Sequence, residues 1–397
     1  MNLDDNICEE EYTEFWEKNK NAHFLNAYWW GICNKNTRKQ KPIYIGLRDD
    51  ENNIICETLL LKRITPLNMC YYYAPRGYLI DWNNKELVKV FTEKLKEYLV
   101  KTNGIYLKVD PAISYQDVDD KANPINEGKN NYELFDYLIK LGYQHQGFNK
   151  LYEKNQPRYT FRTIFSNYNS FEDVEKGISK TFMRSIKRSY NYDLKINTTK
   201  NISNFYELAN KVSKKDDFKV YSKKYYEDIF NLYGKKGFIK NFEASINPAE
   251  IINKLNNDIT HEKNNDRIAK LNKDIEYFKT KKQEEYVCAS LICIYTPKGA
   301  WSLYIGNDEV AEYTGTVNRL YYEFIKDAYD NHLEFADLFG VCGDPNTKYK
   351  NLAGIYEYKR KLGGTCIELM GEFDLINKPF WYKLLPLMLK VFRFMRR

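Results

Sequence analysis

No stretch of this chain reaches the roughly 18 consecutive apolar residues that a membrane-spanning helix needs, so no transmembrane segment is expected. Its opening, MNLDDNICEEEYTEFWEKNK, is acidic where a secretory signal would be basic and then apolar, and the expected location is the cytoplasm. Paired cysteines are missing too. Cys8, Cys33, Cys56, Cys70, Cys288, Cys293, Cys342 and Cys366 stand apart, with no CxxC and no histidine cluster, which supports neither a zinc site nor a disulfide framework. Most are expected to be reduced, buried fillers. Neither sign of charge dominates: 61 basic residues against 54 acidic ones leave +7, which suits an anionic partner without resembling a dedicated chromatin or ribosomal binder. What the chain does have is apolar and aromatic material, 43% and 16% of 397 residues, enough for one large core or two ordinary ones and too much for global disorder.

The pattern along the chain predicts an α+β (layered α/β) protein with a repeated order. PIYIGLRD, NIICETLLLKR and MCYYYAPRG read as strands, NKELVKVFTEKLKEYLVKTNG as a helix, and IYLKVDP as a strand again. After the polar stretch DVDDKANPINEGKNN and the short helix YELFDYLIKLGY, QPRYTFRTIF opens a second unit. There SFEDVEKGISKTFMRSIKRSYNY and SNFYELANKVSKKD read as helices, and EYVCASLICIYTPKGAWSLYIG as a hairpin turned at Pro297 to Gly299. VNRLYYEFIKDAYDNH and EFADLFG then repeat the helix and strand order of the first unit.

Ahead of that hairpin, residues 247–284 carry apolar positions at Ile252, Leu255 and Ile259, then at Ile268, Leu271, Ile275 and Phe278, interrupted by Asn264 and Asn265. The spacing predicts two antiparallel helices folded on each other as a coiled-coil arm. Its stripe is wide enough only for its partner, so the arm is expected to project from the body. It reads either as a functionless surface hairpin or as a reach toward a long polyanion.

Several segments together resemble the FemABX family of non-ribosomal aminoacyltransferases: FLNAYWWGICNK, YYYAPRGYLID, IYLKVDP, KTFMRSIKRSYNYDLKI, LYIGNDEVAEY, FADLFGVCGD, GIYEYKRKLGG and ELMGEFD. Their order and spacing span almost the whole chain. The resemblance implies two tandem acyl-CoA N-acetyltransferase-like (GNAT-like) subdomains, residues 1–147 completed by 371–397, and 148–370 with the arm inserted. It also implies transfer of an aminoacyl group from aminoacyl-tRNA to a stem-peptide amine of a peptidoglycan precursor, lipid II or its soluble nucleotide-linked form. Such a reaction needs no metal and no cofactor beyond the charged tRNA. It would be performed by a cytoplasmic enzyme, peripheral at the inner membrane face where the precursor is lipid-linked.

Attack of an amine on an ester requires two substrates held together and an oxyanion stabilised. Lys359, in GIYEYKRKLGG, is the expected electrostatic group; the alternative for Lys359, Arg360 and Lys361 is a solvated basic turn. Tyr358 stands where family members usually carry Phe and adds a hydroxyl. Asp110, at the end of IYLKVDP, would point from the sheet end into a cleft as a positioning group or base, or else belong to an Asp-Pro turn. Lys35 and Arg76 are candidates for the precursor diphosphate, Arg76 alternatively bracing its loop through carbonyls. Where the family tends to place an arginine, the sequence has Tyr221, with Lys219, Lys223 or Lys224 able to replace its charge but not its fork. Tyr225, Tyr226 and Tyr304 read as hydroxyl donors lining the cleft or as packing aromatics.

Lys180, Arg184, Lys187 and Arg188 gather along one helix face, as tRNA phosphate contacts or as a solvated surface. The C-terminal FWYKLLPLMLKVFRFMRR, with Lys383, Lys390, Arg393 and Arg397, reads as a helix lying on an anionic leaflet or docked on the protein's own core. Two other functions remain open at this point. An acyl-CoA-dependent N-acyltransferase is opposed by the absence of an R-x-x-G-x-G/A phosphate loop. A non-catalytic RNA-binding protein would leave the GIYEYKRKLGG segment as structure only.

Overall fold

The computed structural model describes residues 1–65, 67–151, 155–216 and 220–395. Lys219 and Arg397 lie outside the described residues, as does the side chain of Arg393. The chain begins with β1 (Asn2–Asp4), α1 (Glu9–Lys18), α2 (Tyr28–Arg38), β2 (Lys41–Arg48), β3 (Ile54–Thr65) and β4 (Met69–Ala74). It continues with α3 (Lys85–Lys101), β5 (Gly104–Val109), β6 (Ser114–Asp117), α4 (Tyr132–Lys140) and β7 (Tyr143–His145). Then come β8 (Tyr159–Ile164), α5 (Phe171–Gly177), α6 (Lys180–Ser189), β9 (Lys195–Thr199), α7 (Ser203–Asp216), α8 (Lys223–Gly234) and β10 (Ile239–Ile246). After α9 (Pro248–His261) and α10 (Asn265–Lys279) follow β11 (Tyr286–Tyr295), β12 (Gly299–Asn307), α11 (Glu309–Thr314), α12 (Thr316–Asp330) and β13 (Phe335–Val341). The chain closes with α13 (Lys350–Lys361), β14 (Thr365–Leu369), β15 (Phe373–Ile376) and α14 (Pro379–Met395).

These elements form two mixed sheets, ordered β1-β2-β3-β4-β5-β15-β7 and β6-β14-β8-β13-β12-β11-β10-β9. Each contains one run of four antiparallel strands ending in a parallel pair, β4 with β5 and β12 with β13. A parallel pair cannot be closed by a tight turn, so a helix crosses over in each case, α3 in the first and α12 in the second. The result is a mixed α/β fold of two lobes, each built on one of the sheets. A core shared by both lobes locks them together: Trp16, Phe24 and Trp30 pack in one cluster with Tyr225, Tyr233 and Trp301, and the Tyr233 hydroxyl donates to the Phe24 carbonyl at 2.6 Å.

Two local expectations change, and one alternative is decided. Residues 170–192, periodic enough to read as one helix, form two, because α5 ends at Gly177 and Ser179 caps a new start by accepting from the Phe182 N–H. The inserted helical hairpin forms but does not project freely. Leu255, Ile275 and Phe278 are buried in the second lobe's core, and Asp274 accepts from the hydroxyls of Tyr192 and Tyr313, so the basal half is anchored while the turn between the helices stays exposed. Finally, α14 turns its apolar face inward, with Trp381, Leu385 and Met388 packed on Met69 and Ile105.

Candidate active site

The pairing of β12 with β13 covers only Gly299–Trp301 against Phe335–Asp337. Beyond it the strands diverge, and the gap opens into a cavity of 580 Å³ with Leu303 and Tyr304 on one side and Phe339 on the other. The first lobe closes the cavity with Trp30, Asn34 and Arg38 of α2 and with Leu61, Arg63 and Tyr73, so the site lies between the lobes. A second cavity of 430 Å³ shares Arg63, Tyr73 and Asn155 with it and runs toward α14, where Tyr382, Lys383, Leu385 and Pro386 line it.

Two guanidinium groups, Arg38 and Arg63, reach the first cavity, and among the described residues neither is ion-paired to a carboxylate. Arg38 stands 5.7 Å from the ring centre of Tyr221 and 5.9 Å from that of Tyr225. The cation beside Tyr221 is thus delivered by α2 rather than by the segment before α8. Lys35 sits a turn earlier on α2, exposed and outside the lining. Tyr225 and Tyr304 both line the cavity and share a hydrogen bond of 2.9 Å. Tyr226 is buried behind them, against Phe205 and the ring of Tyr304. Arg38 and Arg63 were missed in the sequence; the one available signal is that Arg38 lies three residues from Lys35, on the same side of a helix.

Behind Pro157 and Phe339, which wall the cavity, lie the other candidates. Lys359, in the last turn of α13, is half-buried and donates to the carbonyls of Phe339 at 3.2 Å and Gly340 at 2.9 Å. Those carbonyls face it because β13 bulges between Asp337 and Gly340, with Phe339 at φ +61°. Asp337 fixes the bulge: it accepts from the Phe339 N–H at 2.7 Å and pairs with Arg162 at 2.9 Å. Crowding of Lys359 by the protein, with the Asp337 charge opposing, brings its pKa down to about 8. The GIYEYKRKLGG segment is therefore a helix with a closing turn. Gly363 and Gly364 take φ of +85° and +87°, and a Cβ on Gly364 would stand 2.8 Å from the Arg162 carbonyl.

Asp110 does not point into the cleft. It is buried and accepts from the Arg76 backbone N–H at 2.9 Å, with the Arg76 guanidinium 3.3 Å away. Burial pushes its pKa up to about 6 against the pull of Arg76. Arg76, buried as well, donates at 2.6 Å to the Pro157 carbonyl, so its fork braces a loop and faces a carboxylate rather than open space. Lys359 and Asp110 share no cavity lining; they meet the same wall from behind, Lys359 through Phe339 and Gly340, Asp110 through Arg76 and Pro157. The Tyr358 hydroxyl donates to Asn318 at 2.7 Å and its ring packs on Phe182 and Tyr321, which ties α13 to α6 and α12.

On α6, Lys180, Arg184 and Lys187 are exposed and have no carboxylate partner among the described residues. Arg188 is different: it is half-buried and donates to the Tyr313 carbonyl. The Ser179 N–H donates to the Lys361 carbonyl at 2.9 Å, which sets this basic face beside the helix carrying Lys359.

A family model described as the FemAB family matches residues 7–283 and 259–390. The aminoacyltransferase FemA of Staphylococcus epidermidis is 26% identical over 408 residues, covering 95% of this chain and 96% of that protein. The lipid II:glycine glycyltransferase of Staphylococcus aureus is 23% identical over 415 residues, covering 94% and 93%. The crystal structure of FemX superposes with a TM-score of 0.78 at 19% identity, covering 97% of this chain and 100% of that one, so the fold is shared.

Proposed function

The chain belongs to the FemAB family, and on that premise we propose that it carries an amino acid from an aminoacyl-tRNA to the stem-peptide amine of a peptidoglycan precursor. It is an aminoacyltransferase that builds the interpeptide bridge. The observation that carries the assignment of chemistry is Lys359: a cation without a carboxylate ion pair among the described residues, half-buried, held by two carbonyls of the strand that walls the interlobe cavity.

In the reaction the acceptor amine attacks the ester carbonyl. A C–N bond forms, the C–O bond to the tRNA 3′ oxygen breaks, and the amine proton ends on that oxygen. Negative charge gathers on the carbonyl oxygen in the transition state, where an ammonium stabilises it more than it stabilises the neutral ester. Lys359 is the candidate for that role, meeting the cavity wall from behind through the Phe339 and Gly340 carbonyls. Tyr358 positions α13, and Asp110 positions the wall through Arg76 and Pro157 rather than touching the amine. Arg38 and Arg63 supply the forks for the precursor diphosphate, with Lys35 adding charge at the rim. Tyr225 and Tyr304 present hydroxyls to the same space, with Tyr226 supporting them. Lys180, Arg184 and Lys187 take tRNA phosphates. A lipid-linked acceptor would place this work at the inner membrane face.

Purified protein incubated with lipid II and a mixture of charged tRNAs, followed by mass spectrometry of the stem peptide, identifies donor and acceptor in one mass shift. Lys359→Ala is expected to lower transfer about 10²-fold or more while tRNA binding persists; transfer at the original rate would remove Lys359 from the chemistry.

A further inference from the structure

Five large apolar side chains are the most solvent-exposed among the described residues, between 58% and 76%: Ile64, Phe380, Val100, Leu67 and Leu387. All five fall at one end of the first lobe. Ile64 and Leu67 flank the turn from β3 to β4, whose next residue but one, Met69, packs under Leu385 and Trp381 of α14. Val100 is in the last turn of α3, and Asn103 just beyond it donates from its side chain to the Asn68 carbonyl at 3.0 Å while accepting from Lys378. Turn, helix end and α14 are therefore stitched into one surface.

The charge of that surface is predominantly basic, the exposed Glu97 one turn before Val100 being paired with Lys94. Residues 62–69, 98–104 and 377–395 contain no Asp or Glu, in a chain with 61 basic and 54 acidic residues, and besides Arg63, which turns into the cavities, they carry Lys62, Lys101, Lys378, Lys383 and Lys390. Along α14, Phe380, Lys383, Leu387 and Lys390 are all exposed, at steps of three and four that put them on one stripe. The apolar face of α14 is already used against the lobe, so this outer stripe is a separate feature in which apolar and cationic side chains alternate. Protruding apolar tips from three elements, rimmed by cations with long stems, do not form a groove for a helix or strand. They match the interface of an anionic bilayer, where apolar tips enter the acyl boundary and lysines reach phosphates.

We propose that this end of the first lobe seats the protein on an anionic lipid bilayer. The proposal deepens the reading of a membrane-facing enzyme and rests on it in one respect: seating would bring the second cavity, which opens beside Lys383 and Pro386, to the lipid surface, where a lipid-linked acceptor could enter it.

Flotation on phosphatidylcholine vesicles with and without phosphatidylglycerol, in the absence of other substrates, tests it. The unmodified chain is expected to float with the anionic vesicles only, less so as salt rises. The variant I64S/L67S/F380S/L387S is expected to bind about tenfold more weakly or worse, with unchanged transfer to a soluble nucleotide-linked acceptor. Hydrogen exchange on the unmodified chain, which needs no variant to fold, is expected to show vesicle-dependent protection in 62–69, 98–104 and 377–395. Flotation equal for variant and parent, no flotation of the parent, protection elsewhere, or lipid-independent self-association that the variant abolishes would each overturn the proposal, the last in favour of an interface between copies. Flotation by a protein that transfers nothing would sink the enzymatic reading and leave the docking surface standing.

Discussion

Glu57 lies in the first half of β3 with no exposed surface and, among the described residues, no hydrogen bond to either carboxylate oxygen. Burial drives its pKa from 4.5 up to about 10, so the native state holds it protonated at neutral pH while the unfolded chain does not. A folded pKa above the unfolded one means that stability is complete below about pH 4.5 and is lost as pH rises through about 10. At neutral pH the cost is about 3 kcal/mol. Glu57→Gln is expected to recover most of it, with the gain absent below pH 4.5, as read by denaturant titration across pH. Lys359 has the opposite shift, from 10.5 down to about 8, and its charge destabilises the native state most below about pH 8, fading toward 10.5. Lys359→Met should therefore raise the melting temperature at neutral pH while lowering transfer about 10²-fold or more, and wild-type transfer should decline above about pH 8 as the ammonium is lost. Arg63→Ala is expected to raise KM for the precursor about tenfold with kcat little changed, as for a group that binds substrate and transition state alike.

At the scale of elements, α13 owes its position to the turn that follows it. Gly364→Ala puts a Cβ against the Arg162 carbonyl and strains a left-handed φ. The expected cost is about 1–3 kcal/mol of stability, with a larger fractional loss of transfer than of tRNA binding because Lys359 shifts with its helix. The break between α5 and α6 shows why periodicity alone misjudges such regions. The apolar spacing continues across Gly177, Ile178 and Ser179, but a flexible residue followed by a capping side chain starts the helix anew, and the Ser179 N–H then finds the Lys361 carbonyl, a partner 182 residues away that no local pattern encodes. The hairpin α9–α10 makes a related point: its stripe was legible, while its second partner, the core beneath Phe278, was not.

For the whole molecule, the shared cluster around Trp16, Phe24, Tyr233 and Trp301 predicts that the lobes unfold together. Calorimetry is expected to give one transition, and two resolved transitions would contradict it. The sequence by itself determined most of the strands and helices, the tandem order, the family and the basic face of α6, because these are written in local periodicity and in motifs that stay contiguous in the chain. Tertiary structure alone decided the site. It turned Asp110 inward to Arg76, left Lys35 a turn outside the cavity, and brought Arg38 and Arg63 into it, because which charge meets solvent and which meets an opposite charge depends on where strands diverge and lobes close, distances that join residues far apart in the chain.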